Sequence, residues 1–516
     1  MILNSRLNNT ALNTFKYLVA CFLLTCSLTS VADTANLKDD ERGIAINKRV
    51  DAYFKQIAKK DFSGAVLVGY KGKGILSKGY GFSDKQKKNA YTTKTISDIG
   101  SISKQFTAAA ILKLEMQGKL ATSDTLSKYF KDLPTDKANI TLHQLLSMSS
   151  GFHMYSGGDY EPVTEKDFIN IIKQQELHFT PGTSFEYSNT NYSILALVIE
   201  RVSGMPYEAY LYQYLLKPAG MEQTGYSRPN FVDDNIAIQH QFGIATEKAT
   251  EKTWDGSRPS LHLLGNGGIL STAEDMYKWH MALMSDKILS NQAKRKYFQP
   301  YFEAFNRNNT VNSYAYGWYT RKTPRNTSLV YHQGSNSESF NDFFRFIDED
   351  IVFIILSNNY DGFSEKLNRE IEPIIFDSSY KPTDKYAYRS LHELKDKGMT
   401  SKEIVSFLEN ELKSSKPSEY NLSIRTLNRF GYAYVTNQQF KDAQNIFKFN
   451  ISLHPHSADV YDYYAESLLL AGEIKQGVEA YKKALNINPK FSNSHTANKI
   501  INEYESFMEK VRNVFN

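Results

Sequence analysis

From Phe62 to Asp84 the chain reads FSGAVLVGYKGKGILSKGYGFSD, with apolar and polar positions alternating around a glycine-rich turn at Lys71 to Gly74. A period of two with glycine at the reversal predicts a β-hairpin. The pattern then changes. SISKQFTAAAILKLEMQ, residues 101–117, is dominated by small and apolar side chains and stops at Gly118, which predicts a helix packed centrally in the domain. Residues 120 to about 285 read as helices and loops, punctuated by TPGTSFEYSN and GNGGILSTAEDM. Strand character returns in SLVYHQG, SFNDFFRFI and DIVFIILSNN. Strands at both ends with helices between them predict an α/β (α+β) domain. Its antiparallel sheet is completed late in the chain, is flanked by helices and has a helical subdomain beside it. This domain is expected to span residues 33–382.

Beyond it the chain turns helical and poor in glycine and proline. LNRFGYAYVTNQQFKDAQNIFKFNISLHPHSADV, from Leu427, aligns with YDYYAESLLLAGEIKQGVEAYKKALNINPKFSNS, from Tyr461, at an offset of 34 residues. Phe440 matches Ile474, Phe447 matches Tyr481 and Pro455 matches Pro489. That period, with paired amphipathic helices and a closing proline, resembles tetratricopeptide repeats and defines an all-α domain at 386–516. The segment YRSLHELKDKGMTSKEIVSFLENELK reads as a degenerate preceding pair. The repeats offer a surface for a protein or peptide partner; the other reading is a structural appendage.

The N-terminus adds an address. Arg6 and Lys16 precede YLVACFLLTCSL, and Ser30 and Ala32 stand at −3 and −1 of a cut after Ala32. Residues 1–32 are thus expected to be a signal peptide, placing a bacterial protein in the periplasm or outside the cell, with no stable membrane span after cleavage. The competing readings are an anchor, for which the run is shorter than the ~20 residues a span needs, and a lipobox ending at Cys21. Cys21 and Cys26 are the only cysteines, so the mature chain has no disulfide, thiol nucleophile or thiolate metal site. Charge changes little: the net +5 falls to +3 without Arg6 and Lys16, and no basic block points to nucleic acid.

Candidate chemistry begins at Ser101 and Lys104. Residues three apart on a helix share a face, so the Lys104 amine can reach the Ser101 hydroxyl. A lysine deprotonates serine only when its own pKa is lowered, which burial among apolar side chains achieves. Ser103 projects about 100° away and is the weaker candidate. S-x-x-K alone discriminates poorly, since Ser378 to Lys381 repeats it just before Pro382. Two further motifs follow in order: Tyr187-Ser188-Asn189, the sole Y-x-N of the chain, and His332-Gln333-Gly334, the sole H-x-G. A tyrosine beside a lysine can share its proton or relay protons to a leaving group, and an asparagine can bind a substrate amide while orienting the lysine. The glycine-bearing strand can lie along a substrate, with the Ser335 N–H as an oxyanion donor.

Together these motifs resemble the serine β-lactamase and penicillin-binding protein superfamily, with a Y-x-N element similar to class C β-lactamases, DD-peptidases, D-aminopeptidases and related esterases. The resemblance spans residues 45 to 375 and includes ITLHQLLSMSSGF and GGILSTAEDMYKW. It implies Ser101 as acylated nucleophile, Lys104 as its base and Tyr187 as second proton-transfer group. It also implies substrate binding by Asn189, His332, Gly334 and Ser335, and needs no cofactor or metal. The implied activity is hydrolysis of esters, D-amino-acid peptides of cell-wall type or, ranked last, β-lactams. His332 departs from the lysine usual in such β-lactamases; it is mostly neutral at pH 7 and supplies no fixed charge for a substrate carboxylate. The rival reading is a non-catalytic penicillin-binding-like sensor that uses the repeats to hold a partner.

Overall fold

The computed structural model describes residues 39–515 apart from 228, 253–257, 308, 361–365, 384, 386 and 415. The expected signal peptide, with both cysteines, lies outside the described residues. Among the described residues no helix is long and apolar enough to cross a membrane.

The predicted hairpin is present as β1 (Gly64–Tyr70) and β2 (Lys73–Tyr80). Six later strands complete the sheet: β3 (Phe302–Arg307), β4 (Thr310–Tyr314), β5 (Tyr319–Lys322), β6 (Ser328–Ser335), β7 (Phe340–Phe346) and β8 (Ile351–Ser357). Their order is β2-β1-β8-β7-β6-β5-β4-β3, every neighbouring pair antiparallel. The first hairpin therefore joins the last strand, with Gly64 opposite Ser357. Strands β3 to β5 were not expected: FEAFNR, TVNSY and YTRK are short, largely polar and partly exposed, so neither alternation nor an apolar run marks them.

Helices cover both faces. α1 (Asp39–Ile57) and α5 (Asn368–Phe376) pack with Val66, Val68, Phe353 and Ile355 in one apolar cluster. α2 (Lys104–Met116), α3 (Asn189–Ser203) and α4 (Ala273–Met284) pack with Ala65, Leu67, Ile354 and Leu356 in the other. Successive side chains of β1 and β8 thus enter opposite cores, which is why these central strands are buried throughout. Ile238–Gln241 pairs with Ile244–Lys248, both inside what the sequence pattern presents as helix and loop, and with Asn359–Tyr360 just after β8, making a small separate sheet.

The C-terminal region is all-α: α6 (Ser401–Leu412), α7 (Ile424–Thr436), α8 (Phe440–Leu453), α9 (Ala458–Leu470), α10 (Ile474–Ile487) and α11 (Ser494–Phe515). A shift of 34 residues carries the bounds of α7 and α8 onto those of α9 and α10. The Arg425 guanidinium of α7 lies 5.7 Å from the Phe242 ring and 5.9 Å from the Tyr360 ring, placing this region against the small sheet.

Candidate active site

Ser101 and Lys104 occupy a sharper bend than the continuous helix expected. Gly100–Ser103 forms a 3₁₀ turn that leads into α2. With three residues per turn, positions i and i+3 eclipse, so the serine and lysine side chains stack directly. Lys104 Nζ lies 3.0 Å from Ser101 Oγ. Ser101 is partly exposed, whereas Lys104 is wholly buried. Burial drives the Lys104 amine well below its usual range, and the charge of Asp159 offsets this in part. A buried, readily deprotonated amine against an accessible hydroxyl can take a proton from it. Ser103 is excluded from that chemistry: its Oγ is buried and accepts the Ile269 N–H at 3.2 Å. The second S-x-x-K lies outside any helix, in the stretch after α5.

Tyr187 is delivered by the N-terminus of α3. Ser188 caps that helix, its Oγ accepting the Asn191 N–H at 3.3 Å and donating to the His153 carbonyl at 2.7 Å. This fixes Tyr187 just before the cap and Asn189 at the first helical position. Lys104 Nζ is 4.8 Å from the Tyr187 ring centroid. Burial pushes the Tyr187 phenol far above its ordinary range, partly offset by the Ser101 hydroxyl, so the protonated phenol is favoured over the phenolate. The sequence allowed either form; burial selects the donor. Asn189 presents a buried Oδ1 without a hydrogen-bond partner. Lys104 makes its other hydrogen bond, 2.8 Å, with the Asn266 carbonyl and none with Asn189. Orientation of the lysine therefore falls to a residue that the sequence motifs did not single out, in the GNGG stretch read only as punctuation.

The third motif is the end of β6. His332 is buried, its Nδ1 2.6 Å from the Gln333 carbonyl and its Nε2 3.5 Å from the Tyr314 hydroxyl. Burial, then the nearby Lys104 charge, lowers its pKa to about 3, so the ring is neutral. Its centroid lies 6.2 Å from that of Tyr187 and 5.3 Å from that of Tyr319, forming an aromatic wall. Gly334 and Gly100 let the two backbones meet. A Cβ on Gly334 would overlap the Ile99 carbonyl and lie 3.2 Å from the Ser101 nitrogen; one on Gly100 would lie 2.7 Å from the Ser335 nitrogen. The Ser101 and Ser335 amides are thus neighbours, the arrangement an oxyanion hole requires.

Asp98, also missed in the motifs, ties these two segments together. Its buried carboxylate accepts the Gly100 N–H at 2.7 Å and the Asn336 Nδ2–H at 2.8 Å, while its carbonyl accepts from Asn341 Nδ2 at 2.9 Å. Among the described residues no cluster of His, Cys, Asp and Glu could hold a metal ion.

A β-lactamase family model matches residues 50–372, more than half of the chain, and the chain belongs to that family. It is 34% identical over 255 residues to the provisionally named penicillin-binding protein PbpX of Bacillus subtilis (strain 168), covering 49% of this chain and 62% of that one. It is 32% identical over 297 residues to protein flp of Staphylococcus aureus (strain MW2), covering 54% and 56% respectively. The matched region thus spans about 60% of the length of these relatives. An octameric penicillin-binding protein homologue from Pyrococcus abyssi shares the fold, with a TM-score of 0.54 at 24% identity over 68% of this chain and 77% of that one.

Proposed function

We propose that this chain is an exported serine hydrolase that works by acyl transfer. The observation that carries the reading is the fully buried Lys104, its amine 3.0 Å from an accessible Ser101 hydroxyl. Ser101 Oγ attacks a carbonyl carbon as its proton passes to neutral Lys104 Nζ. The tetrahedral oxyanion is held by the Ser101 and Ser335 amides. The protonated Tyr187 gives its proton to the leaving group and regains one from the Lys104 ammonium, leaving an acyl-serine. Water then attacks that ester, and the same groups return the proton to Ser101.

Substrates of this reading are esters and D-amino-acid peptides of the cell-wall type. β-Lactams rank below them, because neutral His332 gives a substrate carboxylate no counter-charge. The 34-residue repeat of helix pairs supports assignment of the C-terminal region as tetratricopeptide-like, with a partner-binding role beside the hydrolase. The test is labelling of the purified protein by a fluorophosphonate or a fluorescent penicillin. Ser101→Ala is expected to abolish it and Ser103→Ala to retain it; equal labelling of Ser101→Ala sinks the assignment.

A further inference from the structure

Charge around the site is unevenly matched, and the mismatch centres on the loop of residues 152–163. The loop is fastened beside Tyr187 by its His153 and Met154 carbonyls, which accept from Ser188 Oγ at 2.7 Å and the Asn189 N–H at 2.9 Å. Farther along, Ser156 Oγ lies 2.8 Å from His262 Nδ1, and Gly157 packs so tightly on the same ring that a Cβ would overlap it. His262 leads directly to the lysine: its carbonyl accepts from Asn266 Nδ2 at 2.7 Å, and the Asn266 carbonyl accepts from Lys104 at 2.8 Å. The Lys252 ammonium lies 4.6 Å from the Tyr160 ring. The loop therefore bridges the tyrosine and lysine sides of the site, and Asp159 lies within it.

Asp159 Oδ1 is buried with no hydrogen-bond partner, and among the described residues no salt bridge reaches the carboxylate. Among the described residues it is the one carboxylate whose charge acts on Lys104. Burial pushes its own pKa up, while Lys104 and then Lys252 draw it back. Neither lysine satisfies it: Lys252 is paired with Glu338, and burial drives Lys104 towards its neutral form. His332 is neutral as well. The site thus holds an unpaired carboxyl group and no free cation among these three. Beside it Tyr155, 53% exposed, offers a ring face of the kind that attracts cations.

We propose that Asp159 is a specificity residue that receives an ammonium group, so that the preferred acyl donors are aminoacyl esters, amides and peptides with a free amine near the scissile carbonyl. The proposal rests on the Ser101 reading above and narrows its substrate class. Asp159 is half-buried with one oxygen sealed from solvent and unpaired, which costs that oxygen its hydration, and an ammonium that enters the site offsets this cost only in the complex. Acetylating the amine removes the charge and adds bulk, which turns the gain into a penalty.

The test uses the full chain and a matched pair of serine-directed ligands, 1-aminoethylboronic acid and its N-acetyl derivative. Each is titrated as a protectant of Ser101 against fluorophosphonate labelling. The free amine is expected to protect at roughly tenfold to a hundredfold lower concentration, the range for a hydrogen bond between charged groups. In Asp159→Asn that ratio is expected to collapse towards one. A wild-type ratio of one or less overturns the proposal, with or without a folded variant. So does a ratio that survives in Asp159→Asn, or failure of both boronates to protect while labelling proceeds. Absence of labelling in the wild type, or labelling that persists in Ser101→Ala, instead refutes the nucleophile assignment.

Discussion

Replacing Gly100 by alanine separates the geometry of the oxyanion site from the stability of the fold. Gly100 has φ +53°, a left-handed conformation that costs an L-residue about 1–2 kcal/mol. Its added Cβ would also lie 2.7 Å from the Ser335 nitrogen, about 0.7 Å inside the 3.4 Å at which ordinary contact begins. The Ser101 turn and the end of β6 must part by that amount. Since a misplacement of about 1 Å at a reacting centre costs roughly a hundredfold, the labelling rate of Gly100→Ala is expected to fall by at least about tenfold. Gly118 supplies the control: its φ is +69° and a Cβ there meets nothing within 4 Å. Gly118→Ala is expected to lose about 1 kcal/mol in denaturant unfolding and keep its labelling rate. If the two variants lose the same stability and Gly100→Ala labels at the wild-type rate, the close approach of the two amides has no catalytic meaning.

Four further outcomes follow from burial. Ser103→Ala strands the buried Ile269 N–H and is expected to cost about 1–3 kcal/mol in chemical denaturation while labelling persists, the reverse of Ser101→Ala. Because Lys104 must be neutral to accept the serine proton, labelling should rise with pH and level off well below 10.5, the usual lysine value. Lys104→Arg, permanently charged, should label roughly 10²–10⁴ times more slowly than the wild type on that plateau and should lose the rise with pH. His280 is buried, accepts the Arg345 Nε–H at 3.1 Å, and is lowered from 6.5 to about 3 by burial and then by that guanidinium. Above pH 6.5 it is neutral in both the folded and unfolded chain. Below that the unfolded chain gains the proton first, so its share of stability is lost as pH falls towards about 3. At pH 5 that loss is about 2 kcal/mol, and His280→Gln should flatten the unfolding free energy between pH 7 and pH 5 by that amount.

The sequence made the chemistry more legible than the frame around it. Ser101, Lys104, Tyr187 and His332 come together because each lies in a short motif whose spacing is set by local geometry. The hairpin β1–β2 and the strands β6 to β8 announced themselves by alternation or by an apolar run. Strands β3 to β5 did not, since their faces are partly exposed and long-range pairing with β6 makes them strands. Asp98, Asn266 and Asp159 escaped for a related reason. Asp98 acts by joining a neighbouring amide to one from a distant segment, Asn266 through its main-chain carbonyl and Asp159 through the lack of a partner, none of which residue type or spacing encodes. Phenol or phenolate at Tyr187 was likewise undecidable until its burial was known.

The pairing of Gly64 with Ser357 has a consequence for the timing of activity. A growing chain that has not yet reached residue 357 carries Ser101 and Lys104 at the start of α2, whose covering sheet is unfinished. Lysine in water is an ordinary ammonium, and the serine beside it is an ordinary alcohol. The closure that completes the core favours the neutral form of the lysine by burying it, so a chain cut short before β8 is expected to resist fluorophosphonate labelling. On the acyl-transfer reading, reactivity is expected to arrive only when the first hairpin finds its partner strand nearly three hundred residues downstream.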